Sequence, residues 1–244
     1  MLSKKQIETN FNKSAVSYDM HALTQQMSAK FLVEFLKSSL PNWSPQMILD
    51  IGTGTGFTTE QLLKHFPDAQ YLLNDLAPNM LNLALKKLRY RPNVTGLLGD
   101  AEFSCFPKTD LVISNLTFQW FNELESTIHR LWQETSVIAF STLVNGTFQE
   151  WYDYLNLPLH TYPTTSDMLN ICKDLQPQEL KFHTITYPIA FENPIACAMY
   201  LKNLGGHAAR IPANYPGLHS LLKGNIPINT SYQVFYAVLI KGHP

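Results

Sequence analysis

A glycine-punctuated run, Asp50-Ile51-Gly52-Thr53-Gly54-Thr55-Gly56, constrains this chain more than any other feature. It follows a short apolar stretch, Met47-Ile48-Leu49, and leads into a segment with helical spacing through Leu62, Leu63 and Phe66. Strand, tight turn and helix in that order make the setting that a nucleotide-binding loop requires. Glycines lack a Cβ, so the backbone turns sharply and comes close to a ligand. A dinucleotide-binding loop has the order Gly-x-Gly-x-x-Gly, whereas position 57 is Phe, so the spacing disfavours a pyrophosphate. Two acids narrow the choice. Asp50 precedes the first glycine and can accept from an ammonium group, while Asp75, 19 residues beyond Gly56, can accept both hydroxyls of a ribose. Together they suit an adenosine whose tail is a zwitterionic amino acid.

Strand-like and helical patterns alternate along the chain. Leu23, Met27, Phe31 and Phe35 stand four apart, with Leu32 and Leu36 beside them, which predicts an amphipathic helix over 21–38 that ends before Pro41 and Pro45. Tyr71 to Asp75 precedes a helix opened by Pro78 and patterned by Leu81, Ala84, Leu85 and Leu88. Val94 to Leu98 and Asp110 to Ser114 follow as strands. Next come a helix with Trp120, Leu124, Ile128 and Leu131 on one face and a strand through Val137-Ile138-Ala139-Phe140. Alternation at this spacing predicts a parallel α/β sheet. Further on, strand-like runs at 182–191 and 232–240 flank helical patterning at Ala196, Met199, Tyr200 and Leu204 and a loop rich in Gly, Pro and Asn.

Composition excludes several classes. A chain of 244 residues with 45% hydrophobic and 15% charged residues is not disordered, and no apolar run approaches the ~20 residues that span a bilayer. The N-terminus enters polar sequence without an apolar targeting stretch, and the 3 cysteines, Cys105, Cys172 and Cys197, are too scattered for a disulfide framework or a zinc knuckle. The expectation is a cytoplasmic protein with reduced thiols, no metal and no membrane partner. A net charge of −1 argues against a nucleic-acid binder, yet it hides segregation: +3 over residues 1–99, −8 over 100–180 and +4 over 181–244. Such a surface can steer a charged partner.

Four segments carry a family resemblance. Ile48 to Gly56 resembles the first motif of class I S-adenosylmethionine-dependent methyltransferases, and Asn74-Asp75-Leu76-Ala77-Pro78-Asn79-Met80-Leu81 resembles their second. Gly99-Asp100-Ala101-Glu102 is similar to the turn after their third strand, and Asp110 to Asn115 to their fourth-strand motif. The resemblance implies S-adenosylmethionine as cofactor. Asp50, Gly52, Thr53, Gly54 and Gly56 would hold its methionine part, Asp75 its ribose, and Asp100 and Ala101 its adenine. Leu76, Asn115 and Gln25 complete the expected cofactor set. The implied fold is a Rossmann-like, seven-stranded, mostly parallel sheet with helices on both faces, an N-terminal helix and a helical cap inserted between the last strands. The chain would be one domain, with residues 1–40 over the active site and 46–142 as the cofactor-binding core. Cap segments would lie at 145–178 and 192–226, and closing strands at 181–191 and 230–240.

The flanks resemble one branch of that family, the malonyl-acyl carrier protein O-methyltransferases of biotin synthesis. The residues that carry this are Phe11 to Asp19 with His21, Ala22 and Gln25; Ser114 to Phe121; Thr142-Leu143 with Gly146 to Glu150; Leu201 to His207 with Arg210; and Ser231 to Tyr236. The resemblance implies methylation of the free carboxylate of a malonyl group on acyl carrier protein, with malonyl-coenzyme A as an alternative carrier. A free small acid of the aconitate type, or a non-catalytic S-adenosylmethionine-binding interaction protein, are the other readings. A carboxylate with an ordinary pKa of roughly 4 is ionised at neutral pH and needs no general base. Catalysis then rests on orientation and exclusion of water. Arg210 is the expected bidentate holder of the acceptor carboxylate. Tyr18 would close over the sulfonium, with Gln119 and Trp120 at the carboxyl edge of the sheet. His21 and His207 read as positioning residues. Lys86, Lys87, Arg89 and Arg91 form a basic cluster able to dock an acidic carrier, or an ordinary solvated helix end.

Overall fold

Residues 2–158, 162–204 and 224–242 are described by a computed structural model. Helix α1, Lys4–His21, opens with a capping box in which Ser3 accepts from the Gln6 backbone and the Gln6 side chain accepts from Ser3 N–H. Ala22, at φ −92° and ψ 35°, interrupts it, and α2, Leu23–Ser39, follows at once. The stripe predicted for α2 is rotated. Leu23 and Met27 are exposed, and the buried face runs through Ser28, Ala29, Leu32, Val33 and Leu36. Seryl and alanyl positions carried too little hydrophobicity for the pattern to place them inside.

Seven strands among the described residues form one sheet: β1 Met47–Ile51, β2 Gln70–Asp75, β3 Val94–Leu98, β4 Thr109–Asn115, β5 Thr135–Leu143, β6 Glu179–Phe191 and β7 Ile228–Ile240. Their order is β3-β2-β1-β4-β5-β7-β6. The first five run parallel, with Ile48 beside both Tyr71 and Leu111, and β7 lies antiparallel between β5 and β6. Chain order reverses between β1 and β4, so a crevice opens at their carboxyl ends, where open α/β sheets bind ligands.

Six further α-helices lie among the described residues: α3 Phe57–Leu62, α4 Pro78–Lys87, α5 Leu124–Gln133, α6 Gln149–Tyr154, α7 Thr165–Asp174 and α8 Pro194–Asn203. Alternate strand residues serve two cores. Ile48, Leu111 and Ile113 pack with α2, α3 and α4 on one face, while Leu49, Val112 and Ile138 pack with α5 and α7 on the other. Burial of each such side chain contributes roughly 1.5–3 kcal/mol. Trp120 is not on α5 as its spacing suggested. It ends a separate 3-10 turn, Phe118–Trp120, and three residues without helical geometry intervene before Leu124. The described part of the segment between β6 and β7 holds α8. Arg210 and His207 lie outside the described residues.

Candidate active site

The glycine loop is shaped by two different demands. Gly52 has φ +65°, and a Cβ there would stand 2.2 Å from the Thr117 side chain, so this position must be bare to let β4 approach. Gly54 has φ +57°, and nothing lies within 4 Å of where its Cβ would be. Its missing side chain faces open space. Asp50, beneath the loop, accepts from Thr53 Oγ1 at 3.0 Å and Thr59 Oγ1 at 2.6 Å, both at Oδ2. Its buried Oδ1 has no partner among the described residues. Burial raises its pKa to about 6 against the opposing pull of the two threonines.

Asp75 ends β2 facing that loop. Its Oδ2 accepts from Gly54 N–H at 2.8 Å and its Oδ1 from Ala77 N–H at 2.8 Å. Desolvation lifts its pKa to about 6 although these N–H groups favour the anion. The next turn is braced from two sides. Asn74 donates to Leu97 O and Gly99 O, each at 3.0 Å, and the Arg130 guanidinium donates to Ala101 O at 2.5 Å and Ser104 O at 2.8 Å.

Gly52, Gly54, Asp75, Leu76, Asp100, Ala101 and Asn115 line one cleft. Asp50, Thr53 and Gly56 are not among its lining residues; Gly56 packs on Ala84 instead. Gln25 is not at this cleft but in a neighbouring cavity. Asn115 serves as a junction as well as a wall: its Oδ1 accepts from Ser28 at 2.7 Å and Ser141 at 2.8 Å, and its Nδ2 donates to Gln25 O at 3.1 Å.

Helix α1 covers the cleft and is tied down along its length. Near its start Lys4 pairs with Glu102 and, at 3.5 Å, with Asp100, and donates to Trp120 O at 3.2 Å. Midway, Asn12 Oδ1 accepts from Asn79 N–H at 2.9 Å. Near its end Asp19 accepts from Thr55 Oγ1 at 2.5 Å and pairs with Lys87 at 2.7 Å. One member of the basic cluster is therefore engaged within the fold, and Lys87 also lies 4.1 Å from the Phe57 ring centre. Sequence reasoning missed Lys4, Asn12, Asp19 and Arg130, whose partners are distant in sequence and leave no periodic signal.

Beyond Tyr18 lies a second cavity. It receives Gln119 and Trp120 together with Gln25 and Tyr232. Phe11, Tyr18, Leu116 and Trp120 line both spaces and form the waist between them. Phe11 meets Tyr18 and Trp120 edge-on at 6.3 and 5.7 Å, and Leu116 holds a left-handed φ of +51° at the end of β4. Gln119 Nε2 donates to Leu116 O at 2.5 Å. Burial, and then the negative charge of Asp75, raise the Tyr18 pKa, so its phenol keeps its proton. His21 has the positioning geometry: Nδ1–H donates to Ser17 O at 2.9 Å and Nε2 accepts from the Asn203 amide at 3.2 Å, joining α1 to α8.

Residues 48–135 match the family model described as a methyltransferase domain. The chain is 30% identical to the malonyl-[acyl-carrier protein] O-methyltransferase of Neorickettsia risticii, over 97% of this chain and 96% of that one. It is 34% identical to malonyl-[acyl-carrier protein] O-methyltransferase 1 of Ilyobacter polytropus, over 86% and 80% respectively. Phosphoethanolamine N-methyltransferase 2 of Haemonchus contortus, solved with S-adenosylhomocysteine, shares the fold with a TM-score of 0.60 at 18% identity, covering 95% of this chain and 58% of that one.

Proposed function

The chain belongs to the malonyl-[acyl-carrier protein] O-methyltransferase family, and we propose that it methylates the free carboxylate of a malonyl thioester on acyl carrier protein, using S-adenosylmethionine. The product is a masked dicarboxylate for the pimeloyl stage of biotin synthesis. Malonyl-coenzyme A, which presents the same acyl group, is a second acceptor in this reading. Among the described residues no helix is long and apolar enough to cross a membrane.

The observation that carries this reading is the cleft at the carboxyl ends of β1, β2 and β4, where the Gly54 N–H meets the carboxylate of Asp75 and the place of the missing Gly54 side chain is open. The residues fit the cofactor. Asp75 would accept from the ribose hydroxyls, the Asp100-Ala101 turn would bind adenine, and the space over Gly54 would take the methionine part. The unpartnered Oδ1 of Asp50 has capacity for one more donor behind the loop. When bound, the cofactor supplies a methyl group on a positively charged sulfur.

The protein's own part is positional. Tyr18 and Trp120, at the waist, would set the direction of approach, while Gln119 lines the acceptor side. Arg210, the cation that the resemblance suggests for the acceptor carboxylate, lies outside the described residues. No proton has to move, because the acceptor is already ionised. Incubation with methyl-labelled S-adenosylmethionine and malonyl-carrier protein tests the function. Base-labile label on the carrier is the expected result, and its absence would overturn the assignment.

A further inference from the structure

The cavity beyond Tyr18 has a polar wall that the cofactor does not explain. Gln25, on α2, places Nε2 3.5 Å from the Tyr232 hydroxyl, and Tyr232 stands 3.2 Å from the Tyr200 hydroxyl. Gln25 Oε1 is buried and has no partner among the described residues. An amide can be turned over without moving its neighbours. Turned, Gln25 accepts from the Tyr232 hydroxyl and presents its N–H₂ where the unpartnered atom stood. Leu143 and Leu204 supply an apolar side, and no Lys, Arg or His is among the described residues lining this space.

We propose that this cavity is the acceptor subsite, in which the Gln25 amide, held in its turned orientation by the Tyr232 phenol, donates to the malonyl carboxylate through a neutral hydrogen bond. The proposal rests on the function given above and assigns to Gln25 a substrate contact in place of the expected cofactor contact. Its chemistry follows from the charges. A carboxylate oxygen forms a bond to the methyl carbon, the carbon–sulfur pair stays on sulfur, and an anion and a cation become a neutral ester and a neutral thioether. Charge is lost on the way to the transition state. A cation fixed on the carboxylate would stabilise the starting pair more than the transition state, whereas neutral donors orient the oxygen without that penalty. Burial keeps Tyr232 protonated and therefore a donor. The shared waist of Phe11, Tyr18, Leu116 and Trp120 then lies between donor and acceptor, as in-line displacement requires.

The test combines calorimetry with kinetics on Gln25→Leu, Gln25→Glu and Tyr232→Phe. The probes are S-adenosylhomocysteine, malonyl-pantetheine added to protein loaded with it, and malonyl-carrier protein as substrate. Expected is unchanged S-adenosylhomocysteine affinity in all three, which also reports intact folding. Malonyl-pantetheine affinity and kcat/KM should fall about tenfold in Gln25→Leu, the loss of one hydrogen bond to a charged group, and by less in Tyr232→Phe, which frees the amide to turn back. Gln25→Glu, which sets a second anion against the acceptor, should lose more. Unchanged acceptor binding, or a loss confined to S-adenosylhomocysteine, overturns the proposal. If the wild type methylates no malonyl thioester, the function falls. The calorimetric series then decides the subsite independently, since it needs no turnover.

Discussion

The backbone N–H of Gly54 donates to Asp75 Oδ2 at 2.8 Å, so the glycine loop and the end of β2 fasten to one another across the floor of the cleft. Asp75→Asn keeps the size, removes the charge and sets an N–H₂ against one of the two backbone N–H groups that the carboxylate accepts from. S-adenosylmethionine affinity should fall about 10- to 100-fold by calorimetry, the range for charge-assisted hydrogen bonds. An unchanged affinity would remove Asp75 from the cofactor site.

Asp50 and Asp75 both have pKa values raised from 3.8 to about 6 by burial. The folded chain therefore binds protons that the unfolded chain has released. Their contribution favours the folded state below about pH 4 and is lost as pH rises through 6. Relative to Asp75→Asn, the wild type should gain thermal stability between pH 8 and pH 5. Cofactor binding should show the opposite trend, because the ribose needs the anion: affinity weakens as pH falls through 6. Melting curves and titrations across that range check both signs.

Gly52→Ala and Gly54→Ala should separate folding from binding. At Gly52 the new Cβ meets Thr117 in addition to left-handed strain, so overpacking of about 1–3 kcal/mol falls on stability. At Gly54 there is strain of about 1 kcal/mol but no clash, and the methyl group enters ligand space. Its cofactor Kd should rise more than its melting temperature falls. Equal effects in the two variants would count against that division.

Lys4→Ala and Asp19→Ala each free one end of α1. Asp19 and Lys87 are both partly exposed, so Asp19→Ala should change stability by less than about 1 kcal/mol. Glu102 is buried, so Lys4→Ala, which leaves its carboxylate without that partner, should cost more, up to about 3–5 kcal/mol. The dissociation rate of S-adenosylhomocysteine, followed by stopped flow, should rise in each. If α1 acts as one cover, the double variant exceeds the product of the two effects. Rates equal to the wild type would reduce α1 to packing.

The parts of this molecule that were legible in the sequence are local ones. Gly52 to Gly56, Asp75 and the Asp100-Ala101 turn each announce themselves within a few residues of a strand end, because backbone approach and strand termination are short-range demands. The β6 and β7 pair was readable from its two long strand-like runs. Trp120 was misplaced because a 3-10 turn and the following helix happen to keep helical phase. Gln25 was assigned to the cofactor by resemblance, and only the packing of α2 against β7 brings it to Tyr232. No spacing rule would reveal that Lys4 reaches Glu102 or Asp19 reaches Thr55, since those contacts depend on how α1 crosses the finished sheet.

That crossing ties the two cavities together. Phe11 and Tyr18, half of the waist between them, both belong to α1. A change in how this one helix sits therefore alters the cleft and its neighbour at once, and neither space can be reshaped from α1 without the other.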